Sequence, residues 1–158
     1  MPFYWAIQGF SVSNKLLRLR LKHPALPATI GFYRSTGTVL HYLDFDMSED
    51  AHGIAAWDAM ASPPATHNPA MLAEVAALLN RLHATLGPPG PLDEQHRWDC
   101  DLHISRHDGT ALNWHWQGPQ MQWAWCGDQT TAHRLTLSLT LTGDAAFTHT
   151  LEQEIAAE

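Results

Sequence analysis

Residues 97–142 read RWDCDLHISRHDGTALNWHWQGPQMQWAWCGDQTTAHRLTLSLTLT, and a period of two runs through almost all of this stretch. Cys100, Leu102 and Ile104 alternate with Asp99, Asp101, His103 and Ser105. Leu112, Trp114 and Trp116 alternate with Asn113, His115 and Gln117, and Met121, Trp123 and Trp125 with Gln120, Gln122, Ala124 and Cys126. Leu135, Leu137, Leu139 and Leu141 alternate with Arg134, Thr136, Ser138, Thr140 and Thr142. Successive side chains on a strand point to opposite faces, so each run is a half-buried β-strand. The stretch predicts an antiparallel four-stranded meander with one indole- and leucine-rich face and one face of Asp, His, Asn, Gln, Ser and Thr.

The turns fix the register. Asp108-Gly109 is a hairpin signal. A two-residue turn there would set Ile104 against the polar Asn113. A three-residue loop, with Gly109 at positive φ, instead pairs Ile104 with Leu112 and keeps the apolar set on one face. The same register carries Asp101 to His115 and His103 to Asn113. Gly118-Pro119 suits a two-residue loop that pairs Trp116 with Met121, His115 with Gln122 and Trp114 with Trp123. The longer Gly127–Ala132 loop returns the chain so that Trp125 comes near Leu135.

Working outward, Gly87 and Pro88-Pro89 close the helix most clearly written in the sequence. Leu72, Val75, Leu79, Leu82 and Leu86 recur at helical spacing behind Asn68 as N-cap and Pro69 in the first turn. A preceding helix is expected from Ser48, with Glu49 and Asp50 near its positive end and Ile54, Trp57, Met60 and Ala61 as its apolar stripe. Thr38–Asp46 reads as a central strand, joined in a hairpin to Ile30–Arg34. At the C-terminal end Asp144 is placed to cap a helix whose Phe147, Leu151 and Ile155 face inward. Near the start, residues 3–10 suit a short strand. In Lys15–Lys22, Leu17, Leu19 and Leu21 alternate with Arg18, Arg20 and Lys22. That pattern fits a strand guarded by cations against edge pairing. No glycine turn follows to make it a phosphate site.

The expected class is therefore α+β. One domain spans 1–158, with an antiparallel sheet (the C-terminal four-stranded meander plus N-terminal strands) covered on one face by two or three helices. A chain of 158 residues can bury a real core, and 45% hydrophobic residues with seven Trp exclude a disordered chain. No apolar run approaches the roughly 20 residues of a membrane helix. The first residues lack the pattern of a secretory signal. Cys100 and Cys126 fall on opposite predicted faces and so are not set to pair. These features favour a reducing cytoplasm. The formal net charge of −7 opposes nucleic-acid binding and is compatible with a basic protein partner.

Among candidate sites, Asp99, Asp101 and His103 share a sheet face, with His115 and Gln122 expected across from them. Such a set can hold a cation or move a proton, but it is also what the wet face of any antiparallel sheet carries. His103-Ile104-Ser105 matches half of the paired motif of the two-histidine phosphoesterases. The second half is absent, because His149-Thr150-Leu151 puts its hydroxyl one position early. Nucleotide, zinc-protease and serine-hydrolase signatures are missing as well. No metal or cofactor is called for. The reading is a non-catalytic interaction protein that binds and masks a partner protein, for which a basic one is compatible with the charge, by analogy with immunity proteins, antitoxins and secretion chaperones; a second copy of the chain is an admissible partner. Its surface would be Asp99, Asp101, His103, His115 and Gln122, with Glu49 and Asp50 outlying. The alternative is a small-molecule binder or cofactor-free enzyme with a Trp-lined cavity, using His103 or His115 with Asp101 for proton transfer.

Overall fold

The Leu-Thr alternation at 135–142 runs through the middle of the protein's main sheet. In the computed structural model, which describes residues 39–123 and 132–156, this strand is β6 (Leu135–Gly143). Ahead of it come β1 (Phe45–Glu49), β2 (Ala55–Ala61), α1 (Asn68–Leu86), β3 (Trp98–Arg106), β4 (Trp114–Gln117) and β5 (Gln120–Trp123). The helix α2 (Ala145–Ile155) follows it. The main sheet has four strands in the order β1-β2-β6-β3, all antiparallel, and β4-β5 form a separate two-stranded sheet. The fold is α+β.

Both expected turn registers are present. Gly109 has φ +83°, Arg106 N–H donates to the Thr110 carbonyl, and Ser105 bridges Ala111, as a three-residue loop requires. Across Gly118, Trp116 pairs with Met121, His115 with Gln122 and Trp114 with Trp123. The continuous meander is not present. β3 leaves its hairpin partner after Leu112, whose N–H donates to Ile104 O at 2.8 Å. From there the Trp114 indole Nε1 donates to the Leu102 carbonyl at 2.9 Å, taking the position of the next ladder bond. β6 then lies along the other edge of β3, from Trp98↔Gly143 to Arg106↔Leu135. All nine residues of β6 find a partner in β3, in place of the expected neighbour β5.

The expected helix over 48–61 is a β-hairpin. Ala55, Trp57, Ala59 and Ala61 are buried, whereas Asp58 is exposed and Met60 is 71% exposed, a period of two. The Asp50 carboxylate builds the turn by accepting from the N–H groups of His52 (2.8 Å) and Ile54 (2.9 Å), and Gly53 supplies φ +78°. The central strand expected over Thr38–Asp46 is also displaced. Residues 39–44 are irregular and β1 begins at Phe45, on an edge. The reason is Glu74 of α1, a buried carboxylate that accepts from three successive N–H groups, those of His41 (2.7 Å), Tyr42 (3.0 Å) and Leu43 (3.0 Å). Those donors are thereby withdrawn from any ladder. The readings at 3–10, Lys15–Lys22, Ile30–Arg34, Trp125 and Cys126 lie outside the described residues.

α1 ends as expected, with Gly87 at φ +86° and its N–H donated to His83 O. Its start differs. His67 occupies the cap position and Asn68 is the first helical residue, its buried side chain donating through Nδ2 to His133 O at 2.7 Å. Asp144 caps α2 by accepting from Phe147 N–H at 2.8 Å. Met71, Val75, Leu78, Leu79 and Leu82 of α1 and Phe147 and Leu151 of α2 form one buried cluster with the inward residues of β2, β3 and β6. An Arg81–Glu154 ion pair joins the two helices. Trp98, fully buried, stacks on Phe147 (centroids 6.2 Å apart, planes 3° apart) and donates its indole N–H to Gly87 O.

Candidate functional site

Because alternate residues of the main sheet enter the core, the other half form a second face, and register sets their neighbours. One row across the strands is Ser48, Ala56, Thr142 and Asp99, and the next is Asp46, Asp58, Thr140 and Asp101. Met60, Ser138 and His103 follow, and then Thr136 and Ser105, with the Ser62 hydroxyl 3.3 Å from that of Thr136. The β6 members are half-exposed, and Asp46, Asp58, Asp99, Asp101 and His103 are exposed. Four carboxylates thus stand on one face, and none of its residues named here is a Lys or Arg. Asp46 and Asp58 are direct ladder neighbours. Like charges so placed destabilise a sheet, and strands about 4.8 Å apart keep them close. The Thr140 hydroxyl donates to Asp58 Oδ1 at 2.6 Å, a partial offset. Asp99 Oδ1 accepts from Cys100 N–H at 2.8 Å on the outer edge of β3.

The predicted residues divide into three groups. Asp99, Asp101 and His103 are together on β3 as expected. His115 and Gln122 are paired with each other, but in the second sheet, so Asp101 and His115 are not ladder partners. Glu49 and Asp50 sit at the β1–β2 turn, where the Asp50 carboxyl is held below its ordinary range by hydrogen bonds from the Ile54 and His52 backbone. Asp46, Asp58 and Thr140 were missed as site members. The alternation Asp46-x-Ser48 and Asp58-x-Met60 carried the signal, but reading 48–61 as a helix hid it.

Other chemistry in the described residues is limited. Burial pushes the Cys100 thiol up to about 12, with the charges of Asp99 and Asp101 adding to the effect, which keeps it protonated near neutral pH. His107 and His133 bring their rings within 5.6 Å of each other. Among the described residues, no group of three or more His, Cys, Asp or Glu is arranged to hold a metal ion. No described helix is long and apolar enough to cross a membrane. The half-buried Trp114 and Trp116 pack against the core, and Trp116 meets the His83 ring of α1 at 5.0 Å. No family model, curated protein or solved structure matches this chain.

Proposed function

We propose that the protein binds a basic partner protein on the outer face of its main sheet and masks it. The supporting observation is the row Asp46–Asp58–Thr140–Asp101, an acidic line across four strands with no cation in it. Such a line costs stability when bare and gains attraction when a cationic surface docks, which also accelerates encounter. His103 and Ser138, one row on, add hydrogen-bonding groups, and the rigid ladder presents all of them without a rearrangement cost. Asp99, Asp101 and His103 form the centre of this surface on β3. Glu49, on the parity of Phe45 and Met47, is not on this face, and His115 and Gln122 lie on the separate β4–β5 hairpin. The role resembles that of immunity proteins, antitoxins and secretion chaperones in kind. The catalytic alternative keeps His103 with Asp101 on β3 but loses His115, which stands in the second sheet.

The test is affinity capture from native lysate by the wild-type protein and by the charge-reversed Asp58→Lys/Asp101→Lys variant. The wild type is expected to retain one stoichiometric basic protein that is released by raising salt, and the variant to retain none of it. Absence of a stoichiometric partner, or equal capture by both proteins, would overturn the reading.

A further inference from the structure

The outer face of the main sheet changes sign along its length. On β3 the parity that begins with Asp99 and Asp101 runs through His103 and Ser105 to His107, one residue past the strand. On β6 the matching parity runs back from Thr142 through Thr140, Ser138 and Thr136 to Arg134, one residue ahead of it. Arg106↔Leu135 is the last rung between the two strands, so His107 and Arg134 leave the sheet next to each other. The His133 ring meets that of His107 at 5.6 Å. The Lys and Arg among the described residues are Arg81, Arg97, Arg106 and Arg134, and two of them are gathered here with two imidazoles. The acidic side chain of the adjoining turn, Asp108, is drawn into that turn by accepting from Thr110 N–H at 2.9 Å. Its carboxyl is held below its ordinary range by the Thr110 hydrogen bonds first, and more weakly by the charges of His107 and Arg106.

We infer that this end of the sheet binds a phosphate group through Arg134, His107 and His133, with the hydroxyls of Ser62 and Thr136 as neutral donors. Both imidazoles ride on fixed backbone. Arg106 N–H donates to Thr110 O and Gly109 N–H to Arg106 O beneath His107, and Asn68 Nδ2 donates to the His133 carbonyl at 2.7 Å. The hydroxyls of Ser62 and Thr136 are 3.3 Å apart, and Thr136 is two residues from Arg134 on the same parity. Alternate residues of a strand are about 6.7 Å apart, a gap that a long arginine side chain closes. A guanidinium, two imidazoles and two hydroxyls offer more donors than a carboxylate has oxygens to receive. A phosphate monoester brings three strong acceptor oxygens and close to two negative charges, and it suits the guanidinium fork. Two imidazoles would also suit a divalent metal, but Arg106 and Arg134 repel a cation and attract an anion. The site goes beyond the partner reading and uses none of the carboxylates on which that reading rests.

The test is titration of the full isotope-labelled chain with inorganic phosphate at constant ionic strength, with chloride as the control, followed through backbone amide shifts. Saturable shifts are expected at His107, His133, Arg134 and Thr136. Arg134→Gln and His133→Gln should each weaken the apparent Kd by about tenfold or more, with amide shifts away from the site unchanged. Shifts that do not saturate, or that chloride reproduces, would show simple screening of surface charge and overturn the inference. Equal affinity in wild type and both variants would overturn it too. So would movement of the same amides by Zn²⁺ and not by phosphate, which would assign the imidazole pair to a metal. Both variants leave Asp46, Asp58 and Asp101 in place and should still capture the basic partner, so the two readings fail separately.

Discussion

Replacing Glu74 by Gln changes one atom of the side chain and should be among the costlier conservative substitutions in the chain. The carboxylate is 7% exposed and accepts from the N–H groups of His41, Tyr42 and Leu43 at 2.7–3.0 Å. A carboxylate is acceptor-only and has lone pairs for all three donors. Glutamine keeps one carbonyl oxygen, which can serve Tyr42 and Leu43, and turns an amide donor toward the N–H of His41. One charge-assisted bond is then replaced by two opposed donors, and the other two lose their charge. With hydrogen bonds to charged groups contributing about 1.5–3 kcal/mol each, the expected loss is about 3 kcal/mol. Glu74→Asp keeps the charge but retracts the oxygens by one methylene, and it should lose a similar amount. That equivalence would show that placement and charge are both required. Urea denaturation followed by Trp fluorescence measures the effect. At a slope of about 1–3 kcal/mol/M the midpoint should fall by about 1–3 M. A Gln variant that unfolds at the wild-type midpoint would refute the claim that this carboxylate anchors residues 41–43.

Other expectations follow from single contacts. A Cβ at Gly143 would overlap the Phe147 ring, so Gly143→Ala should lose about 1–3 kcal/mol, visible as a lowered Tm. Trp114→Phe removes the donor to Leu102 O and should cost about 1 kcal/mol, with faster exchange across residues 114–123 while β3–β6 stays protected. In a Cys126→Ser background the half-buried Cys100 should react with a thiol reagent more slowly in the folded chain than in the unfolded one. The same thiol gives a pH dependence. Its folded value is raised from 9 to about 12, so its contribution is fully present below pH 9 and falls as pH rises toward 12. The slope is at most about 1.4 kcal/mol per pH unit. Cys100→Ala should remove that part of the slope, as read from urea midpoints at pH 8 and pH 10.5.

What could be read ahead of the structure was local. The loop at Asp108-Gly109 and the hairpin at Gly118 were legible because one residue of slip would have inverted a whole apolar set. Gly87 with two prolines, and Asp144 three residues before Phe147, state the ends of helices in the chain itself. The neighbour of β6 was not legible. Leu135, Leu137, Leu139 and Leu141 say which face is buried, but alternation is silent on which strands flank it. That choice depended on length matching between β3 and β6 and on an indole donor at Trp114 ending the β3–β4 ladder. The Asp99-Asp101-His103 part of the candidate site follows from parity alone and was therefore visible. The Asp46–Asp58 part depends on which strands adjoin which.

The error at 48–61 shows why composition misleads there. Alanine is the best helix former, and Ala51, Ala55, Ala56, Ala59 and Ala61 invite a helix with Ile54, Trp57, Met60 and Ala61 on one side. Two observations oppose it on physical grounds. Gly53 would sit in the helix interior, where glycine costs about 1 kcal/mol relative to alanine, and it is found at positive φ in a turn built by Asp50. More decisively, β6 is buried along its inward face and has two edges, while β3 occupies only one. A helix over 48–61 would leave the second edge of β6 with unpaired N–H and C=O groups beside Leu137, Leu139 and Leu141. β2 pairs along that edge from Leu137 to Gly143. Each further ladder bond adds to the strand alternative, so a few tenths of a kcal/mol per alanine in helix propensity are outweighed. The same pairing puts Asp58 between Asp46 and Thr140, so the acidic row exists because a neighbouring strand overrode the local preference of an alanine-rich segment.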